Sequence, residues 1–161
     1  MAARSRKPRP DLGADPLQLD RQVCFALAVA SRTVISIYRP LLEPMGLTHP
    51  QYLVMLALWE RSPRSVKDIS SALMLDSATL SPLLKRLESG GLLTRGRNPQ
   101  DERQLTVQLT SDGRALRRRA LAIPYAVLAA LDLDLEPLLE LHAQLTTVIT
   151  AATRALDAAA S

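Results

Sequence analysis

The fold is decided by one stretch of the chain, DSATLSPLLKRLESGGLLTRGRNPQDERQLTVQLT, which runs from Asp76 to Thr110. Its first part has leucines at helical spacing and ends in a pair of glycines, which suits a left-handed helix terminus. Its last part, RQLTVQLT, alternates apolar and polar residues as a half-buried strand does. Between them, LLTRGR and the turn NPQDE complete a hairpin. The stretch therefore predicts a helix followed by a two-stranded wing.

A shorter helix is predicted directly before this stretch. Ser65 and Asp68, three residues apart, have the pattern of a capping box, and either Asp76 or Ser77 can cap the helix that follows. A turn at MLD separates the two helices. Two helices with so short a connection are typical of a helix-turn-helix, whose second helix is the recognition helix. The same geometry is also common in helical bundles, so it does not by itself establish DNA binding.

Long apolar helices are predicted on both sides of this module. One begins near Leu17 and continues at helical spacing until Pro40 and Pro44 end it, and a kinked helix around Pro124 precedes a final apolar helix. Their apolar faces exceed what one winged module needs, so we expect a second copy of the chain to cover them. The predicted fold class is mainly α with a small β wing, a winged helix-turn-helix with N- and C-terminal dimerisation helices.

Charge is unevenly distributed along the chain, whose net charge is +4. Basic residues prevail between Lys85 and Arg119, whereas the segment after them is acidic. A basic region beside an acidic one suggests a polyanionic partner, although a solvated charged face gives the same pattern. The expected divisions are residues 1–16 as a disordered basic arm and 17–161 as a single domain, with a DNA-binding winged helix at about 48–110 and dimerisation helices at about 17–43 and 111–158.

The candidate DNA contacts lie on the recognition helix and on the wing. Hydroxyl side chains at the start of the helix would face base edges in the major groove, and cations near its end would contact phosphates. Arg103 at the wing tip would enter the minor groove, held extended by Asp101, unless the two form an ordinary surface ion pair. The candidates are Asp76, Ser77, Thr79, Ser81, Lys85 and Arg86 on the helix, and Arg95, Arg97, Asp101 and Arg103 on the wing. A helix-turn-helix and an arginine-tipped wing in this order favour binding of double-stranded DNA.

The chain has a single cysteine, Cys24, so no disulfide can form within it. The arginine-rich N-terminus lacks the apolar segment of a signal peptide, and no apolar run approaches the roughly 20 residues that span a bilayer. We therefore expect a cytoplasmic protein without a membrane partner, in which Cys24 is a free thiol. No cofactor and no metal site are predicted.

Over about residues 17–131 the chain resembles the MarR-type winged-helix regulators, and specifically their organic-hydroperoxide-sensing branch, the OhrR proteins. The resemblance is carried by LDRQVCFALAVASR, YRPLLEPMGLTHPQYLVMLALWE, LDSATLSPLLKRLESGGLLTRGR and DERQLTVQLT. The DER wing is typical of the wider family, and the cysteine segment followed by YRPLL and PQYLVML is typical of the branch. The resemblance implies a dimeric repressor rather than an enzyme, in which organic hydroperoxides oxidise Cys24 and thereby release an inverted-repeat operator.

The resemblance also implies a sensor pocket. Tyr38 matches a tyrosine that hydrogen-bonds to the sensor cysteine, whereas Ala28 and His49 stand where relatives often carry further tyrosines. His49 either replaces a tyrosine as a donor or is a solvated surface histidine. The second cysteine of some relatives is absent, which indicates the one-cysteine type. Because Cys24 and Tyr38 lie about 21 Å apart along one helix, they can meet only between antiparallel helices of a dimer.

The residues leave three other functions open. A lone cysteine in an apolar helix is more often inert than reactive, so Cys24 could simply pack in a regulator that a small aromatic ligand releases from DNA. A thiol peroxidase would use Cys24 catalytically, but no resolving thiol supports its turnover. A structural DNA-compacting protein would bind DNA without sequence preference.

Overall fold

The computed structural model describes residues 15–98 and 101–160, and for residues 98, 101–104 and 160 it describes the backbone alone. The chain divides into two compact units, Met1–Ser36 and Ile37–Ser161. Residues 1–14, most of the predicted N-terminal arm, lie outside the described residues.

The first helix starts later than the sequence indicates, and it ends between the two prolines that were expected to end it. A 3-10 turn at Leu19–Arg21 precedes helix α1, which runs over Val23–Leu42, and a second 3-10 turn follows at Glu43–Met45. The predicted start near Leu17 is therefore wrong. Pro40 lies inside α1 instead of ending it, because the next two residues remain helical and the last of them, Leu42, is fully buried in the core. Burial of leucine offsets the hydrogen bond that the proline removes.

Much of the apolar side of α1 is exposed. Val23 retains 65% of its surface, and Phe25 and Leu27 retain more than a third. By length and composition alone the helical stretch Val23–Met45 could cross a membrane, with a mean hydropathy of 1.3 in its most apolar window. The expectation that no apolar run approaches a membrane span is wrong by this measure. A helix that packs against a second copy of the chain has the same composition.

The larger unit contains the predicted winged helix-turn-helix. Its elements are α2 at His49–Glu60, β1 at Arg64–Ser65, α3 at Val66–Leu73, α4 at Ser77–Ser89, β2 at Leu93–Asn98 and β3 at Asp101–Leu109. The sheet has three antiparallel strands in the order β1-β3-β2. The sequence predicted only two of them, the wing strands β2 and β3, and missed β1. That strand, β1, has two residues and is too short to show a period of its own.

The predicted caps of these helices are confirmed. The backbone N–H of Asp68 donates to the Ser65 hydroxyl at 3.0 Å, and the N–H of Thr79 donates to the Asp76 carboxylate at 2.7 Å. After α4 the chain turns through Gly91, whose φ of +73° is the left-handed conformation that glycine adopts without strain. These local signals fix where the recognition helix begins and ends.

The core packs α4 against α2 and the sheet. Val54, Met55 and Leu58 of α2 are at most 1% exposed, which agrees with the expectation that this segment is central. The other fully buried side chains come from α1, α3, α4 and the two wing strands: Leu42, Ile69, Leu80, Leu84, Leu87, Leu93 and Val107. Because one side of α4 supplies three of these leucines, its opposite side faces outward.

The chain continues through three further helices. The predicted kinked helix is two helices, α5 at Ser111–Ala120 and α6 at Ile123–Leu131, and Pro124 occupies the first turn of α6. A proline is tolerated there because its missing N–H would lack a partner in any case. The last helix, α7, runs over Leu135–Ala160 and exposes apolar residues such as Leu139, at 59%, and Leu156, at 71%.

Gly113, in the first turn of α5, packs closely against the backbone of Leu92. A β-carbon built on it would lie 2.0 Å from the carbonyl oxygen of Leu92, just before the wing. The N–H of Gly113 donates to the Thr110 hydroxyl at 3.0 Å, and its carbonyl accepts from the indole of Trp59 at 2.8 Å. Only glycine fits between these groups.

We expect Gly113→Ala to lower the free energy of unfolding by about 3 kcal/mol, because a backbone atom must move to admit the methyl group. Urea unfolding of the variant measures this loss. Gly96→Ala is the matched control, since a β-carbon there meets nothing within 4 Å and should change stability by about 0.5 kcal/mol or less. Equal effects of the two substitutions would show that the close approach at Gly113 is not a constraint.

Candidate functional site

The outward side of α4 carries the predicted recognition residues. The helix is anchored by its buried leucines, which leaves its polar side chains in solvent. The exposed candidates are Ser77, Thr79, Ser81, Lys85 and Arg86. Their hydroxyl groups stand near the N-terminus of the helix and the two cations nearer its C-terminus, an order that suits base edges and phosphates respectively.

Asp76, which is also among the predicted DNA contacts, has the capping role that the sequence predicted for it. Its carboxylate caps α4, and hydrogen bonds from Thr79, chiefly from the backbone N–H, lower the pKa of Asp76. The carboxylate is therefore ionised at neutral pH and engaged with the helix terminus. A negative charge there stabilises the helix but would repel phosphates.

Arg95 is likewise occupied within the protein. Its guanidinium donates to one carboxylate oxygen of Glu88 at 2.8 and 2.6 Å, and its backbone N–H donates to the other oxygen at 3.0 Å. Hydrogen bonds from Arg95 lower the pKa of Glu88. Arg95 thus pairs with the recognition helix, and its predicted contact with DNA stays a prediction, whereas Arg97 is exposed.

The described backbone places Asp101 and Arg103 in strand β3 of the ribbon. Asp101 begins β3 and pairs with Asn98 after an irregularity in register between Arg97 and Asn98. The side chains of Asp101 and Arg103 lie outside the described residues. Their proposed contact with each other and with a minor groove stays a prediction.

The predicted sensor residues fall in both units of the chain. Cys24 is an exposed free thiol in the N-terminal unit, and Ala28 of the same helix is also exposed. Tyr38 and His49 belong to the larger unit, where both are half-buried and their rings meet edge to face with centroids 5.1 Å apart. The surface interpretation of His49 is thus wrong, because the imidazole packs against the phenol of Tyr38.

Burial changes the titration of both rings. It raises the pKa of Tyr38 and lowers the pKa of His49. At neutral pH the phenol therefore keeps its proton and the imidazole is mainly neutral. Both rings remain hydrogen-bond donors, which is what a thiolate partner requires.

Two aromatic residues that sequence reasoning missed extend this contact. The ring of Tyr52 lies 6.0 Å from that of Tyr38 and 6.2 Å from that of Trp59. Trp59 in turn hydrogen-bonds to the Gly113 carbonyl. Both residues are in α2 and seven positions apart, a spacing that places them on one side of a helix. That spacing was the available signal, but in an apolar helix it reads as core packing.

A cleft lies beside these rings. It has a volume of about 500 Å³ and is bounded by α2, α5 and the start of α6. Its lining is mostly apolar and aromatic, with one cation and one anion: Tyr52, Leu56, Trp59, Glu60, Arg117, Ala120, Leu121, Pro124 and Tyr125. Over the described ranges, 15–98 and 101–160, no three histidine, cysteine or acidic side chains are grouped to hold a metal ion.

Comparison with known proteins assigns this arrangement to a family. Residues 36–119 match the sequence profile of the family described as transcriptional regulator SarA/Rot. The chain belongs to this family of MarR-like winged-helix regulators. Its members are transcriptional regulators, which agrees with the expectation of a regulator rather than an enzyme.

Individual relatives define the branch. This MarR-like regulator is 42% identical over 135 residues to the organic hydroperoxide resistance transcriptional regulator of Bacillus subtilis (strain 168), a match that covers 84% of this chain and 92% of the relative. It is 50% identical over 113 residues to the HTH-type transcriptional regulator TtmR of Methylorubrum extorquens (strain PA1), which covers 70% of this chain but only 58% of TtmR. The predicted resemblance to the hydroperoxide-responsive branch is confirmed.

A solved structure supports the same assignment. Reduced AbfR bound to DNA, from Staphylococcus epidermidis, matches with a TM-score of 0.71 and 33% identity over 86% of this chain and 96% of AbfR. The predicted winged-helix fold of this MarR-like regulator is therefore confirmed.

The burial of His49 predicts a pH dependence of stability. Its folded pKa lies below the ordinary value of 6.5, so the unfolded chain takes up the proton first as pH falls. The stability that neutral His49 contributes is complete above pH 6.5 and is lost as pH falls from there through the folded pKa. Urea unfolding across this range should show a weaker loss for His49→Gln.

An NMR titration of the imidazole provides the direct measurement. His142, the other histidine of the chain, is replaced by Gln so that the remaining signal belongs to His49. A midpoint at or above 6.5 would contradict the buried environment.

Proposed function

We propose that this chain is a dimeric, cytoplasmic repressor that organic hydroperoxides release from an inverted-repeat operator by oxidising Cys24. One observation carries the proposal. An exposed free thiol occupies the part of an apolar helix whose side chains are largely exposed, in a chain whose winged module presents polar residues of its recognition helix to solvent. The name of the Bacillus relative, an organic hydroperoxide resistance regulator, supports the class of oxidant.

Dimerisation supplies the missing partner of the exposed helices. Apolar side chains are exposed along α1 and α7, among them Val23, at 65%, and Leu139, at 59%. Covering such surface contributes about 25 cal/mol per Å² of apolar area. On a two-fold axis the two recognition helices would enter successive major grooves about 34 Å apart, which selects an operator with the same symmetry.

In the dimer, Cys24 of one protomer meets Tyr38 of the other, because the two residues are about 21 Å apart along one helix and cannot meet within a chain. The phenol, whose pKa is raised by burial, keeps its proton and donates it in a hydrogen bond to the thiolate. His49, packed against the same phenol, lies on the same side of the pocket.

Oxidation then proceeds by attack of the thiolate on the terminal oxygen of a hydroperoxide. A sulfur–oxygen bond forms, the oxygen–oxygen bond breaks, and the alkoxide that leaves takes up a proton to become an alcohol. The sulfur loses two electrons to the peroxide and becomes a sulfenic acid. This product is larger and more polar than a thiol, so the surrounding apolar interface rearranges and the spacing of the winged modules changes.

The role of the thiol predicts the behaviour of two variants. Cys24→Ser should bind operator like the wild type but fail to release it after treatment with an organic hydroperoxide, because serine is not oxidised. Tyr38→Phe should bind DNA normally and react about tenfold or more slowly, since a hydrogen bond to a charged group contributes roughly 1.5–3 kcal/mol. Intact mass and an operator titration of the same samples measure both effects.

A mixed dimer tests whether the contact is between subunits. In a heterodimer of one Cys24→Ser chain and one Tyr38→Phe chain, the remaining cysteine faces the intact Tyr38 of its partner. It should react at the wild-type rate. If it reacts as slowly as in the Tyr38→Phe homodimer, the contact is within one chain and the proposed pocket is wrong.

The wing predicts a second pair of variants. Arg103→Ala should weaken operator binding strongly while the fold and dimer persist, because it removes the side chain proposed for the minor groove and leaves the buried core residues unchanged. Lys85→Gln should weaken operator and random DNA about equally and make the salt dependence shallower. If Arg103→Ala binds operator as tightly as the wild type, the proposed minor-groove contact of Arg103 is wrong.

The cleft beside α2 favours a second candidate function. Three aromatic side chains, Tyr52, Trp59 and Tyr125, and the cation Arg117 line it, which suits a small aromatic anion. In that case a ligand of this class would release DNA equally from the wild type and from Cys24→Ser, whereas organic hydroperoxide would release neither. The two candidates are therefore separated by the wild type treated with hydroperoxide and by Cys24→Ser treated with the aromatic ligand.

A further inference from the structure

Glu88 and Arg95 join the recognition helix to the wing. Glu88 is in the last turn of α4 and Arg95 is on β2, seven residues later, beyond the turn formed by the glycine pair. Three hydrogen bonds of 2.6 to 3.0 Å hold them, two from the guanidinium and one from the backbone N–H of Arg95. The Glu88 carboxylate thus accepts hydrogen bonds from both the side chain and the main chain of Arg95.

The ion pair between Glu88 and Arg95 fixes an orientation more than it stabilises the fold. The side chains of Glu88 and Arg95 are 34% and 28% exposed, and exposed ion pairs add little to the free energy of unfolding. Their contacts are nevertheless directional, because two guanidinium N–H groups share one carboxylate oxygen of Glu88 and the backbone N–H of the strand donates to the other. Together they define an angle better than a flexible turn can. The main effect of this ion pair is therefore on the orientation of strand β2 relative to helix α4.

The opposite side of the same turn is also fixed. The Thr110 hydroxyl donates to the Gly91 carbonyl at 2.7 Å, and the Thr110 N–H donates to the Leu92 carbonyl at 3.1 Å. Between Thr110 on one side and the Glu88–Arg95 pair on the other, the turn has little freedom to swing. The recognition helix and the base of the wing form one unit.

We propose that Arg95 is a positioning residue, which together with Glu88 sets the angle between recognition helix and wing so that both reach their grooves at once. This inference rests on the proposed DNA binding. Without the pair the wing must be ordered at the moment of binding, and that entropy is subtracted from the affinity. The loss concerns operator more than random DNA, because only the operator complex needs both contacts together.

The alternative is that Arg95 leaves Glu88 and contacts a phosphate directly. The two possibilities predict opposite signs for Glu88→Gln. Removing an acid that holds back a phosphate-binding arginine would strengthen DNA binding. Removing one half of a positioning pair weakens operator binding, even though the substitution deletes a negative charge near DNA.

The experiment is a titration of the full-length dimer with operator and with random DNA, over a range of salt. We expect Glu88→Gln and Arg95→Gln each to weaken operator binding about three- to tenfold relative to random DNA. Arg95→Gln should keep the wild-type salt slope, whereas a lost phosphate contact lowers it by about 0.9. Lys85→Gln, placed among the phosphate contacts, calibrates that decrease. Thermal melting of each variant verifies that it is folded.

Coupling to the wing tip gives a second readout. If the pair acts by orienting the wing, Arg95→Gln should have little effect on operator affinity in the Arg103→Ala background. Without the contact at the wing tip, the orientation of the wing no longer contributes to affinity. Additive effects, or a stronger operator affinity for Glu88→Gln, would overturn the proposal. Failure of the wild type to prefer operator over random DNA would instead refute the proposed function, so the two failures are distinct.

Discussion

The winged module depends on the packing of the first turn of α5 against the turn that follows α4. At Gly113 there is no room for a β-carbon, which would lie 2.0 Å from the Leu92 carbonyl. Around this contact Thr110 caps α5 and binds Gly91, and Trp59 reaches over from α2 to the Gly113 carbonyl. Three helices and the wing therefore meet at one tightly packed point, and none of them can rotate alone without breaking it.

This constraint decides how a signal can reach DNA. The recognition helix cannot tilt relative to its wing, because Thr110 and the Glu88–Arg95 pair hold the turn between them. In the proposed dimer, a change at the interface would therefore displace the winged module as a whole. The proposed response to oxidation would then be a change in the distance between two winged modules, to which an operator of fixed spacing is sensitive.

Local chemistry made most of the module predictable from the sequence. Caps such as Ser65 and Asp76 and the glycine turn act within a few residues, so their patterns are complete in the sequence. What escaped prediction depends on partners far away or on geometry. Arg95 looks like any other wing arginine until Glu88 is placed beside it. The family resemblance placed Tyr38 and His49 in one pocket, but it left open whether His49 is a solvated surface residue, and only the structure shows that the two rings are in contact.

Because the outer surface of α1 is apolar, the stability of the folded protein should depend on its own concentration. An isolated chain presents a helix as apolar as a membrane span, with Val23 65% exposed. If the proposed second copy covers it, folding and association are one equilibrium, and the midpoint of thermal unfolding rises with protein concentration. A cell that makes little of the regulator would then hold a larger fraction as solitary chains, which proteases remove first. The concentration of folded dimer would therefore rise more steeply than in proportion to the rate of synthesis.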